Sequence, residues 1–477
     1  MKRTVGVDYI IVFFLILILI GFASVNLSFE NEYTITVFLP ISYLIGFIIW
    51  GIFSNKRAVL LQKIIMLLMF IKICLFPSLV LINGGMDISR YNKSIFSYLS
   101  DAVIIQIIEY GSILICLIGF KWPYKTLREV PIVRSKNKND NLLSKKTWSI
   151  LCLCLLIVGI SIVVQPSFLN RFRPIFFINK EMEINWKKIS EVALNTLPPY
   201  IYYPINWLLL ESRLILAYMI VVKIKKSKIQ INDQVKVILS CIAIVCVLVL
   251  IVPDDVATSI YAAITLFLLL YVIYPSKRSG ISKMLMMVCS IVVSLSFFIM
   301  PIISGKGVSL NYITAKLNAY FSGYINISAC VAMNAQTSDR LSMFIGDFFR
   351  SLPVVKGYFS SFSMSNELFN YVLGYDIIYN SQIIPLEGQG YYYLWYVGVI
   401  LFTITHMCIL KNYYCKMIYS YSSFSFYING VLMLLMTFGL VMYGFFLNFS
   451  LVLAQLPLIL INCFFVRRKT DESPDIS

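Results

Sequence analysis

Histidine is almost missing: 477 residues contain one, His406. Zinc and most catalytic metal sites need several imidazole or thiolate ligands converging at suitable spacing, so a single histidine near the end of an apolar run reads as a packed residue. Cysteine is more plentiful, but Cys152 and Cys154 stand two apart and point to different helix faces. Only Cys330 falls in a segment assigned to the outside, and one outer cysteine closes no internal disulfide, which excludes a stapled extracellular domain. No glycine-rich loop ends in Gly-Lys-Ser, and no Gly-x-Ser-x-Gly elbow is present. The basic loops are too short for a nucleotide-binding domain, which excludes a pump carrying its own ATP motor. Charge is scarce too, at 13% against 59% hydrophobic residues. With a mean hydropathy of +0.82, such a chain cannot hide its apolar residues in a water-soluble core.

What is present is a series of apolar runs. Twelve spans are expected, at about 9–27, 35–53, 58–82, 103–120, 148–165, 205–222, 237–252, 259–275, 284–303, 391–410, 426–446 and 449–466. The expected fold is therefore all-α, a polytopic membrane protein with about twelve transmembrane helices. With the N-terminus inside, the cytoplasmic segments hold 25 Lys and Arg against 7 acids, and the outer segments 12 against 14. That asymmetry places both termini in the cytoplasm and makes the basic run Lys121 to Lys146 an inside marker beside anionic headgroups, not a nucleic-acid site. The first span, preceded by Lys2 and Arg3 and lacking a small-residue cleavage site, reads as a retained anchor.

The organisation follows: residues 1–303 carry nine spans and an outer loop at 166–204, 304–390 form one large outer loop, 391–466 the last three spans, and 467–477 a cytoplasmic tail. A loop of 87 residues is uncommon unless functional or disordered, and its many aromatic and aliphatic residues argue against disorder. Within it Leu341, Phe344, Ile345, Phe348 and Leu352 recur at spacings of three and four, predicting a short amphipathic helix that Pro353 ends. Asp347 and Arg350 fall near one another on its polar side. The tail of the other outer loop, Leu197 to Pro204, reads as stiff chain at the headgroup level.

Candidate site residues come from charge and aromaticity. Glu211 and Arg213 lie inside a span, about 200° apart on the helix, so each needs a partner elsewhere. Lys72 or Lys63 suits the glutamate and Glu109 the arginine; the alternatives are buried ion pairs or a polar cavity that binds substrate. Arg171, Arg173, Arg340 and Arg350 are outer guanidiniums able to grip phosphate through paired hydrogen bonds. A base near an attacking hydroxyl would come from Asp339, Asp347, Glu367, Asp376 or Glu387, with Glu387, Asp347 and Glu367 as the catalytic candidates. Tyr391 and Tyr392, opening the run to Tyr396, serve either as stacking platforms for sugar rings or as an interfacial aromatic belt.

The order of these features carries a resemblance. Many spans precede a long outer loop with Ala319-Tyr-Phe-Ser-Gly-Tyr324, Gly346-Asp-Phe-Phe-Arg-Ser-Leu-Pro353, Asn366-Glu-Leu-Phe-Asn370 and Ile383-Ile-Pro-Leu-Glu-Gly-Gln-Gly-Tyr391, then Trp395-Tyr-Val-Gly398. This resembles the Wzy-type O-antigen or capsular oligosaccharide repeat-unit polymerases of bacteria. The resemblance implies a GT-C-like glycosyltransferase in the inner membrane. It would move a growing glycan from undecaprenyl pyrophosphate onto an incoming lipid-linked repeat unit, with no cofactor and no metal. It implies the lipid-linked glycan and membrane lipid as partners, with a Wzz-type chain-length regulator beside them and no nucleic acid. It also implies that outer-loop arginines grip the lipid pyrophosphate, Arg350 first and Arg340 second. A lipid-linked oligosaccharide flippase, an O-antigen ligase and a membrane O-acetyltransferase are the alternatives.

Overall fold

The computed structural model describes residues 13, 15–21, 32–53, 59–85, 92–123, 125–134, 145–166, 173–174, 199–227, 231–252, 256–299, 302, 307–321, 323–334, 336, 339–352, 359, 364–374 and 383–466. Arg171 and Asp376 lie outside these residues, as does the side chain of Arg173.

Among the described residues, eight helices are long and apolar enough to cross a bilayer, and up to ten spans result if each of two bent pairs is one span. The first six are α1 (Tyr33–Phe53), α2 (Leu60–Ile82), α3 (Lys93–Gly119), α4 (Lys145–Val164), α5 (Pro199–Lys226) and α6 (Asp233–Leu250). One bent pair follows, α7 (Val256–Ile273) and α8 (Arg278–Ser294), and the other two of the eight come later, at Leu386–Ile418 and Ser423–Met442. The chain is an all-α, multi-pass, membrane-type bundle. Its surface explains the composition: Ile45, Ile52, Ile115, Leu156 and Val163 are exposed, as expected where lipid replaces water.

Among the described residues of the long segment before the last spans are four short helices, α9 (Leu310–Phe321), α10 (Tyr324–Met333), α11 (Arg340–Ser351) and α12 (Ser365–Leu373). Then come α13 (Leu386–Ile418), α14 (Ser423–Met442), α15 (Phe445–Ala454) and α16 (Leu456–Ile461). α14 is the axis of the molecule, 89% buried where α4 is only 17% buried. It packs on α13 and α7, and Gly430 permits the approach, since a Cβ there would overlap the Thr265 methyl. α5 is locked to the same helix where the Tyr218 hydroxyl meets Ser423 Oγ at 2.7 Å and the Tyr218 ring stacks on Tyr427.

Three expectations change in detail. From Pro199 the chain is helical and runs into the span through Pro204, so its stiffness is that of a helix. α7 and α8 meet at a 110° bend beside Pro275, and the last apolar run breaks by 57° at Gln455, where Pro457 lacks the donor a continuous helix needs. The third concerns the large loop, part of which enters the bundle. All ten residues of α10 are buried, and this helix packs on α3, α12 and α13 inside the bundle.

Candidate functional site

The deepest polar feature joins three helices. Lys72 sits where α2 loosens into a π-helical stretch, Phe70–Leu75. Its Nζ donates to Glu109 Oε1 and Oε2 of α3 at 3.0 and 2.9 Å. The same ammonium lies 2.8 Å from Glu387 Oε1, in the first turn of α13. All three side chains are fully buried. Glu387 reaches this depth because α10 and the start of α13 enter the bundle together: a Cβ on Gly388 would overlap Cys330 Sγ of α10. One ammonium cannot neutralise two carboxylates, so with both ionised the cluster carries one net negative charge in a water-poor interior.

α13 is two helical pieces. Leu394 and Trp395 leave helical geometry, and Trp395 has φ +56°, a conformation that costs an L side chain about 1–3 kcal/mol and persists only where packing enforces it. The break folds the piece carrying Glu387, Gln389 and Tyr391 back against the longer one. Gly390 and Gly398 meet backbone to backbone there, a Cβ on Gly390 lying 2.6 Å from the Gly398 carbonyl oxygen. Only glycine fits such a crossing.

The amphipathic helix predicted around Phe344 forms as α11, capped by Asp339 Oδ1, which accepts from Ser342 N at 3.3 Å. Its orientation corrects the expectation for Asp347. That carboxylate is 1% exposed while Leu341 is 72% exposed, so the supposedly polar side faces inward. Asp347 accepts from Ser365 N at 3.1 Å, from Ser365 Oγ, from Gln389 Nε2 at 2.8 Å and from Tyr393 Oη at 2.6 Å. It thereby ties α11 to α12 and α13. Burial pushes the Asp347 carboxyl above the ordinary carboxylate range, against these four donors, which pull it down. Phe344 and Phe348 pack edge-on against Phe446 of α15.

Asp347→Ala leaves those donors without their acceptor and is expected to cost about 3 kcal/mol of stability. Because its native value is raised, the contribution of Asp347 is complete below about pH 4 and is lost as pH rises through that native value. The deficit of the alanine variant, read from thermal unfolding in detergent, should therefore narrow between acid and neutral pH.

Arg350 turns away from Asp347 and pairs instead with Glu367 of α12, Nη1 to Oε1 at 3.1 Å. Glu367 is 49% exposed, and its Oε2 accepts from Met364 N at 3.3 Å, closing the start of α12. At the other end of α11, about 15 Å away by helix rise, the Arg340 guanidinium lies over the Trp395 ring at 4.9 Å. Trp395 is half exposed, whereas Tyr391 and Tyr392 are buried. Tyr391 packs edge-on against Trp395 and Tyr396, and the Tyr392 hydroxyl donates to Met343 Sδ at 3.1 Å. Both tyrosines are covered by these neighbours, whereas the Trp395 ring keeps half of its surface exposed beside the Arg340 guanidinium.

Arg213 has a different partner from the one expected. It donates to the Val247 carbonyl through Nε and Nη2 at 3.1 and 2.9 Å, to the Leu248 carbonyl at 3.2 Å and to Ser259 Oγ at 3.3 Å. Val247 and Leu248 belong to a π-helical stretch, Val245–Leu250, whose wider turn frees carbonyls for such capture. Glu109 and Lys72 pair with each other, not with Arg213 and Glu211; Glu211 is buried beside Tyr427. His406 is fully buried, its Nε2 2.6 Å from the Met436 carbonyl.

Of the candidates, Arg350, Glu367 and Asp347 come together across α11 and α12, joined by Gln389 at the start of α13, which sequence reasoning did not single out, while Arg340 sits apart at the far end of α11. Arg213 lies elsewhere in the bundle. The Lys72–Glu109–Glu387 cluster is not legible as a unit in the sequence, although each member is visible there as a charge in or beside an apolar run. No protein-family model, curated protein or solved structure matches the chain.

Proposed function

We propose that this protein is a membrane glycosyltransferase that polymerises oligosaccharide repeat units carried on a lipid pyrophosphate, at the non-cytoplasmic face of a bacterial inner membrane. The observation that carries this reading is the Arg350–Glu367 pair, a guanidinium beside a half-exposed carboxylate on two capping helices. A pyrophosphate oxygen is a better partner for that guanidinium than one exposed carboxylate, because it offers more charge and two parallel hydrogen bonds. Donor binding would release Glu367, which then accepts the proton of the attacking sugar hydroxyl. The new glycosidic C–O bond forms as the bond to pyrophosphate breaks, and the lipid pyrophosphate leaves with the electron pair. Arg340 over Trp395 offers a cation and an open ring for the sugar chain.

A second reading, a lipid-linked oligosaccharide flippase, is favoured by the buried cluster. Ionisable groups at mid-span commonly line transport pathways, and broken helices mark transporter sites. One turn before Glu109, Gln106 is fully buried with neither amide atom hydrogen-bonded, which suits a polar guest.

The two readings part in one assay. Purified protein in liposomes, supplied with an undecaprenyl-pyrophosphate-linked repeat unit alone, is expected to yield glycans of two or more units by mass spectrometry. Translocation of unextended substrate would support the flippase and overturn the polymerase.

A further inference from the structure

The opposite end of the bundle from α11 and α12 is built from lysines and arginines laid on aromatic rings. Lys125 lies over Tyr419 at 4.6 Å, Lys411 over Phe120 at 5.0 Å, Lys223 over Trp148 at 5.7 Å and Arg278 over Tyr271 at 5.2 Å. α3 fixes the two ends: at its start Asn92 N donates to the Leu373 carbonyl of α12, and beyond its last turn Trp122 packs on Tyr414 of α13.

At this basic end a cavity of about 760 Å³ opens between the turn Lys125–Glu129 and the facing ends of α7 and α8. Its polar side holds Lys125, Arg128 and Ser282. The one lining carboxylate, Glu129, is engaged in accepting from Thr126 N at 3.3 Å. Arg128 is steadied by Nε, which donates to Tyr271 Oη at 3.3 Å and leaves the terminal nitrogens of the fork for a ligand. Tyr271 also positions Arg278, whose Nε donates to the Tyr271 carbonyl at 3.2 Å. Much of the remaining wall is hydrocarbon, including Phe267, Leu268, Ile281 and Leu285.

We propose that this cavity binds an anionic membrane phospholipid, its phosphate between Arg128 and Lys125 and an acyl chain along Leu268, Ile281 and Leu285. The charge selects the phosphate, since a basic hollow between helices at the headgroup level suits an anionic headgroup. The apolar wall selects a lipid over a soluble anion, because a free phosphate has nothing to bury there. The site is independent of the reading given to Arg350 and Glu367 and lies at the other end of the bundle.

Titrating the full-length protein in neutral detergent with fluorescent phosphatidylglycerol tests this. One saturable site is expected, insensitive to phosphatidylcholine and to millimolar inorganic phosphate. Lys125→Ala and Arg128→Ala should each weaken it about five-fold, and the double variant on the order of 25-fold, following about 1 kcal/mol per basic residue. Ser282→Trp, which fills the cavity without removing charge, should abolish saturable binding. Lys146→Ala, an exposed basic residue outside the cavity, should leave it unchanged. Equal loss in Lys146→Ala, or unchanged binding in Ser282→Trp, would reduce the effect to general surface charge and overturn the site. Displacement by inorganic phosphate alone would make it a soluble-anion site and equally overturn the lipid.

Discussion

Lys72→Met is expected to destabilise the protein by about 3–5 kcal/mol, more than the loss of Asp347. Methionine matches the length of the lysine stem, so packing is nearly kept while the ammonium is lost. Glu109 and Glu387 then face each other with no exposed surface and no cation. Two companions separate charge from shape. Glu387→Gln leaves the neutral Lys72–Glu109 pair and should change stability by less than about 1 kcal/mol. The triple variant Lys72→Met, Glu109→Gln, Glu387→Gln carries no buried charge and should recover most of what the single variant loses. The fraction of protein surviving a heating series in detergent, read by gel filtration, reports all three. Equal loss in the single and triple variants would assign the effect to packing. A stable Glu387→Gln that still extends glycans would remove Glu387 from the chemistry.

Arg350→Ala should lower chain extension on the order of 10²–10³-fold while leaving the protein folded and in the membrane. Folding and rate respond differently because the guanidinium has a different partner in each. In the resting structure Arg350 makes a partly exposed ion pair with Glu367, and such pairs contribute about 0–1 kcal/mol. A guanidinium gripping a pyrophosphate through two charge-assisted hydrogen bonds contributes about 3–4 kcal/mol to the reacting complex, which is the stated rate factor. Arg350→Lys keeps the charge and loses the fork, so an intermediate rate is expected. Glu367→Gln should fall by about 10²–10⁴-fold if its carboxylate takes the hydroxyl proton. Normal chain length in Arg350→Ala, read as a glycan ladder, would take Arg350 out of the site.

Hydropathy alone locates the long helices, because only runs of about twenty apolar residues satisfy both lipid and backbone. Spacing locates α11, with Leu341, Phe344 and Phe348 on one stripe, and the structure begins that helix at Arg340. Spacing does not say which side of α11 is covered. Asp347 is inward because α12 and the first piece of α13 pack there, and the donors it binds come from Ser365, Gln389 and Tyr393, far away in the chain. α10 is hidden for a simpler reason: a run of ten mostly apolar residues, with Asn326 and Ser328 among them, is too short to span a bilayer. The charges within spans are all visible in the sequence, yet their pairing differs from the one expected. A helical wheel shows the direction in which Lys72 or Arg213 points around its own axis, and says nothing of which helix lies there. Arg213 shows the further point that a backbone loosened by a π turn can serve as the counter-group.

The ion cluster also sets a timetable for biogenesis. Lys72 and Glu109 belong to consecutive spans and can enter the bilayer already paired, as a neutral hairpin. Glu387 is made roughly 280 residues after Glu109, a delay on the order of 15–60 s at ordinary rates of synthesis. Until then Lys72 has one carboxylate partner, and the cluster closes only when the first turn of α13 docks against α2 and α3, tying early spans to late ones.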